Sequence, residues 1–212
     1  MNQQDFVTQL IKILRQKYIN PKAELDHKND YEFSVAVMLS AQTTDKKVNE
    51  VTPGLFAKYP SWEELSDAPV EEVRDLIYGV NFHIGKGERL INAAQQVVAT
   101  FDGKLPRNLT DLITISGIAR KSANVITQEL WDITEGIVVD THITRLSKRW
   151  KLTIEKDAKK VEKDLMKIIP RKDWKFYSTA VVLHGRYVCI ARKPKCDECP
   201  LNRICPASTI KL

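Results

Sequence analysis

The only four cysteines of the chain fall between Cys189 and Cys205, with six, two and five residues between successive thiols. Four thiolates on one short loop can surround a single soft metal centre, either a tetrahedral zinc ion or an iron–sulfur cube, and so fix the shape of the segment that carries them. Zinc ribbons bring two Cys-x-x-Cys knuckles together. Here only Cys196 and Cys199 have that spacing, so the uneven pattern suits a cluster wrapped by one continuous loop. Pro194, Pro200 and Pro206 stiffen the loop, and Arg192, Lys193, Lys195 and Arg203 surround it. Such a centre needs no duty beyond that of a staple. The N-terminal MNQQDFVTQLIKILRQKY lacks the apolar region of a secretory leader, so the expected location is the cytoplasm, at the nucleoid in a bacterium, where thiols bind metals rather than pair as disulfides.

Outside the loop, apolar residues recur at helical spacing. Phe6, Leu10, Ile11 and Leu14 mark one helix; Tyr31 to Ser40 reads as a buried one; Ser61-Trp-Glu-Glu64 spells a capping box. Tyr78 to Gly87, with three glycines, reads as a connector, and a helix is expected to resume at Glu88 and run to Phe101. Leu109 to Ile115, Ile143 to Trp150, Val161 to Ile168 and Phe176 to Tyr187 complete the helical set. Ile137 to Val139 is the one strand-like run, and there is no βαβ alternation, so the fold class is all-α. At 212 residues the chain makes one large domain or two small ones. No apolar run approaches the roughly 18 residues of a membrane span.

The stretch Leu112 to His142 carries the chemistry. A glycine turn at Gly117 precedes Arg120-Lys121 at the start of a helix, which is how a chain presents backbone amides to a phosphate, and Asp140 follows the Ile137–Val139 run. The formal charge of +6 makes a polyanion a reasonable partner.

Five motifs together resemble the endonuclease III family of helix–hairpin–helix DNA glycosylases. They are Leu39-Ser-Ala-Gln-Thr-Thr-Asp45, Ile115-Ser-Gly-Ile-Ala-Arg-Lys-Ser-Ala123, Val139-Asp-Thr-His142, Leu183-His-Gly-Arg-Tyr187 and the 6-2-5 cysteine loop, in family order from about residue 3 to 206. The resemblance implies two helical domains flanking a DNA-binding cleft: residues 22–132 with the hairpin, and residues 1–21 plus 133–212 with a [4Fe-4S] cluster on Cys189, Cys196, Cys199 and Cys205. It implies a monomer, with no membrane association, acting on double-stranded DNA that contains a damaged base, chiefly an oxidised pyrimidine, or an abasic site. Lys121 then matches the Schiff-base nucleophile and Asp140 the carboxylate that steadies the cationic sugar. Gln42 matches a gap-filling residue and Val80 falls near the wedge; Gly117, Ala119, Arg120 and Lys193 are expected at DNA. Alternatives are a mismatch-specific glycosylase of the same superfamily, from which Lys121 argues away, and a non-catalytic iron–sulfur DNA-binding module. Two departures stand out. Ser116 and Ala119 replace the family's proline and glycine, with a Cβ at 119 expected to restrict positive φ, and the Gly79–Gly87 loop is about two residues longer.

Overall fold

A computed structural model describes residues 2–210 of the chain. Every α-helix or strand assigned among them is a helix. In chain order these are α1 (Gln3–Lys17), α2 (Asp30–Leu39), α3 (Asp45–Lys58), α4 (Trp62–Ser66), α5 (Val70–Leu76), α6 (His83–Phe101), α7 (Leu109–Leu112), α8 (Arg120–Trp131), α9 (Thr141–Arg149), α10 (Ala158–Ile168) and α11 (Trp174–Tyr187). The chain divides into two compact units, one of Ala23–Ile133 and one of Met1–Lys22 with Thr134–Leu212. Among the described residues, no helix is long and apolar enough to cross a membrane.

In the Ala23–Ile133 unit, α2 is the hub. Every residue from Tyr31 to Leu39 is buried, as expected of a helix that is apolar nearly all round. Asn29 caps it by accepting from the Glu32 amide at 2.9 Å, and α3, α6 and α8 pack on it. Thr44 caps α3, and Ser61 caps α4.

The glycines misplace α6 in the sequence reading. The helix begins at His83, five residues before Glu88, so Gly85 and Gly87 lie inside it. A Cβ on Gly87 would meet Arg74 Cγ at 2.8 Å; the glycine is there because α6 crosses close to α5, not because the chain turns. The true connector is the short 77–82 segment, ending at Phe82 with φ 60. Similarly, α7 stops at Leu112, short of Ile115, and the chain turns from there to Ile118.

The second unit packs α1, α9, α10 and α11 around Leu10, Leu14, Ile143, Leu146, Leu165, Tyr177 and Val181. Arg15 of α1 reaches Asp173 at 2.6 Å and lies over the Phe176 ring. Ile137–Val139 is buried but pairs with no strand among the described residues. The Val138 amide instead donates to Ser178 Oγ of α11 at 3.0 Å, which satisfies a buried donor that a sheet would have taken.

Candidate nucleic-acid interface and cluster loop

In the Ala23–Ile133 unit, the turn between α7 and α8 is anchored by Ile115 and Ile118, both buried, and closed by the Ile118 amide donating to Ile115 O. Gly117 between them has φ 80 and is exposed; a Cβ there would come within 2.9 Å of Met38 Cε. Ala119 has φ −83, so the Cβ that replaces a glycine meets no backbone penalty, and the expected restriction does not arise. Ser116 carries the N–H that a proline would lack, and Gln96 Oε1 accepts it at 2.7 Å. The turn thus keeps its shape with a different pair of residues.

Ala119 is the N-cap of α8 and gives no side-chain cap, so the first-turn amides of that helix face outward without one. Arg120 and Lys121 occupy the first two helical positions and are exposed. Beside the turn lies a groove of about 470 Å³, lined among others by Leu39, Lys86, Arg89, Ser116 and Gly117. Amides at a helix start, flanked by cations, form a site for a phosphate.

Two loops of the same unit meet next to this groove. Gln42 is exposed with φ 56, and its carbonyl accepts from Asn81 Nδ2 at 2.5 Å. Val80, expected as a wedge, is 1% exposed and belongs to the core; the wedge assignment to it is corrected. Successive three-residue turns, Val80 N to Ile77 O and His83 N to Val80 O, carry Ile77 and Val80 inward and leave Tyr78 (73% exposed) and Phe82 (65%) outside.

Lys86 escaped the sequence reading. It is 5% exposed, and its Nζ donates to Leu39 O at 2.7 Å, Ala41 O at 2.6 Å and Thr43 Oγ1 at 3.1 Å. Burial, with Arg89 nearby, pushes its pKa down to about 8. With α6 starting at His83, Lys86 shares a helical face with Leu90, Ala93, Ala94 and Val97, and a lysine on an apolar face was the available signal.

In the other unit, Asp140 caps α9. Its Oδ1 accepts from the Ile143 amide at 2.8 Å, which fixes the carboxylate at the mouth of the helix. One and two turns on, Arg145 and Arg149 bind the start of the cysteine loop. Arg145 Nη2 donates to Gly185 O at 2.9 Å and Cys189 O at 3.0 Å, and it lies 3.3 Å from His142 Nδ1. Arg149 Nη1 reaches Cys189 Sγ at 3.1 Å and Ile190 O at 2.9 Å.

The four cysteines line one pocket with Trp150, His184 and Pro194. The loop coils through successive turns: Cys199 N to Cys196 O, Asn202 N to Cys199 O and Cys205 N to Leu201 O, with Leu201 buried as its plug. His184 Nε2 lies 3.5 Å from Cys199 Sγ, and Tyr18 OH is 3.1 Å from His184 Nδ1. Burial pushes the Cys199 thiol up to about 11 and also raises that of Cys205. Four thiolates crowded here call for a strongly cationic centre to offset that cost. Among the described residues, no three His, Cys, Asp or Glu side chains come close enough to hold a single metal ion. Four free thiols of one loop lining one pocket supply the thiolate set that an iron–sulfur cluster takes. Lys193 is exposed on this loop, whereas Lys195 pairs with Glu198 at 3.9 Å.

An all-helical chain with an uncapped helix start after a glycine hairpin, and a four-thiol loop in its other unit, has the makings of a DNA repair protein. Residues 35–171 match the family of HhH-GPD superfamily base excision DNA repair proteins, and residues 189–205 match the iron–sulfur binding domain of endonuclease III. The chain is 41% identical to an endonuclease III of Synechocystis over 95% of its own length and 92% of the relative's. It is 37% identical to that of Bacillus subtilis over 87% and 84%. A solved structure of a trapped covalent endonuclease III–DNA intermediate superposes with a TM-score of 0.91 at 32% identity, covering 98% of this chain and 97% of the other. The chain belongs to the HhH-GPD superfamily of base excision repair proteins and, within it, to the endonuclease III family. It is a DNA glycosylase and abasic-site lyase that binds DNA and carries a [4Fe-4S] cluster.

Proposed function

We propose that the protein excises damaged pyrimidines, chiefly oxidised ones, from duplex DNA as a cytoplasmic monomer, with Lys121 as the nucleophile. The observation that carries this reading is the place of Lys121: an exposed amine in the first turn of an uncapped helix, directly after the Gly117 hairpin. The partial positive charge of that helix start holds the neighbouring phosphate and so sets the amine beside the sugar it attacks.

The target base is out of reach inside the stack, so its nucleotide is flipped out. The hairpin amides at Gly117 and Ala119, with Arg120, grip the strand, and Lys193 of the cysteine loop adds a phosphate contact. Gln42 occupies the gap left by the base. Phe82, exposed beside it, takes the wedge role that Val80 cannot, since an aromatic face replaces lost stacking.

Lys121 Nζ then attacks C1′. The C1′–N glycosidic bond breaks, its electron pair leaves with the base, and the base takes up a proton. The nitrogen loses its proton and the sugar ring opens to a protonated imine. Removal of a C2′ proton breaks the C3′–O bond, the 3′ phosphate leaves, and water releases the lysine. Asp140 has one oxygen committed to the Ile143 amide; the other steadies positive charge on the sugar and shuttles protons. That a family member was captured as a covalent intermediate with DNA supports an amine mechanism over direct hydrolysis. Cys189, Cys196, Cys199 and Cys205 are the ligands of the cluster, which when bound supplies a rigid cationic centre that fixes the loop.

Borohydride reduction during turnover tests the reading. A panel of duplexes bearing oxidised pyrimidines, mismatches and abasic sites is expected to give covalent complexes with the first and last. Excision without any trapped complex would remove Lys121 as nucleophile.

A further inference from the structure

Lys86 is an unusual use of a buried charge. An ammonium has three N–H donors, and all three are met: by Leu39 O and Ala41 O at the end of α2, and by Thr43 Oγ1 in the loop beyond. The last carbonyls of a helix need partners, but water serves that purpose at no desolvation cost. A lysine drawn out of water does something water cannot, which is to bind three successive points of one loop to the middle of another helix.

The second tie comes from the 77–82 connector. The Asn81 amide N–H donates to the same Thr43 Oγ1 at 3.2 Å, and Asn81 Nδ2 donates to Gln42 O. Thr43 is thus shared by Lys86 and Asn81, and Gln42 sits between the held Ala41 carbonyl and the held Thr43 hydroxyl, with its own carbonyl bonded to Asn81. Gln42 is itself in the left-handed region at φ 56, as is Phe82 across the connection at φ 60, and neither is glycine. Left-handed backbone at an exposed residue costs free energy and persists only where its surroundings over-determine it. Here they do so at an exposed side chain.

We propose that Lys86, Thr43 and Asn81 are positioning residues for base excision: they lock the 40–44 loop to the 77–82 connector so that Gln42 is held, before DNA arrives, in the conformation that enters the opened duplex. This rests on the reading of Gln42 as the gap-filling residue. Preorganisation of that kind removes an ordering cost that would otherwise fall in the flipping step. It acts only on duplex, because a single strand leaves no gap to fill.

The test compares single-turnover excision from a lesion duplex with strand cleavage at an abasic site in single-stranded DNA, for Gln42→Ala, Asn81→Ala and the double variant. Asn81 is exposed, so its replacement leaves the fold intact. Asn81→Ala is expected to slow duplex excision at least fivefold and single-strand cleavage less than twofold, whereas a folding defect slows both equally. The double variant is expected to be no more than twofold slower than Gln42→Ala, since Asn81 acts through Gln42. Lys86→Met, checked for native helicity by circular dichroism, shows the same duplex-selective loss. Full duplex activity of Asn81→Ala beside a slow Gln42→Ala, or penalties that multiply in the double variant, overturns the clamp alone. A silent Gln42→Ala overturns the gap-filling reading, and the clamp with it.

Discussion

Replacing Val80 and Phe82 in turn by alanine separates a core residue from a DNA-facing one two positions away. Val80 is 1% exposed within the core around α2, so Val80→Ala removes two buried methyl groups and leaves part of their volume empty. At about 0.8 kcal/mol per buried carbon plus a cavity contribution, the loss comes to about 1.5–2.5 kcal/mol of stability. Phe82 is 65% exposed, and truncating it changes stability by less than about 0.5 kcal/mol. If its ring stacks in the gap left by a flipped nucleotide, the interaction is worth about 1–3 kcal/mol, a factor of roughly 5 to 150 in kcat/KM on duplex. Urea unfolding gives the first quantity, and steady-state excision from a lesion duplex, corrected for folded fraction, gives the second. Val80→Ala should be less stable with near-normal specific activity, and Phe82→Ala stable but slow. A Phe82→Ala enzyme that excises at full rate while a stable Val80→Ala enzyme does not would refute the assignment.

Lys121→Ala should abolish borohydride trapping and strand cleavage while DNA affinity by fluorescence anisotropy changes less than about threefold, since one phosphate-side charge of several is lost. Lys86 gives a pH signature. Its folded pKa of about 8 lies below the unfolded value of 10.5, so between those limits the unfolded chain binds more protons and stability rises with pH. The cost of burying the charge is fully present below pH 8 and gone above 10.5. The stability of the wild type relative to Lys86→Met, followed by urea titration, should therefore increase from pH 8 to 10.5; a flat difference removes the buried cation. Cys199→Ser should lower bound iron and visible absorbance and loosen the 189–205 loop to proteolysis, with unchanged iron arguing against Cys199 as a ligand.

The cysteine loop and the Gly117–Lys121 turn could be read from sequence because their information is local. Spacing along one loop decides what four thiols can surround, and a glycine before a helix start decides where amides point. The same locality explains the failures. Gly85 and Gly87 carry the local mark of a loop but lie in α6, where Arg74 of another helix leaves no room for a side chain. Val80 looks like any exposed apolar residue of a connector until α6 is extended back to His83. Ile137–Val139 has the composition of a strand, and Ser178, some forty residues later, takes the hydrogen bond that a strand partner would have taken.

The sequence by itself determined the helical class and the thiol centre, because periodicity, spacing and residue chemistry are properties of short stretches. Tertiary structure alone decided which connector residue faces outward, how Ser116 and Ala119 replace proline and glycine through Gln96 and a negative φ, and that Lys86 binds the Gln42 loop. Those outcomes depend on which distant groups share a few ångströms of space, and hydrogen bonding and close packing act over that distance whatever the separation along the chain.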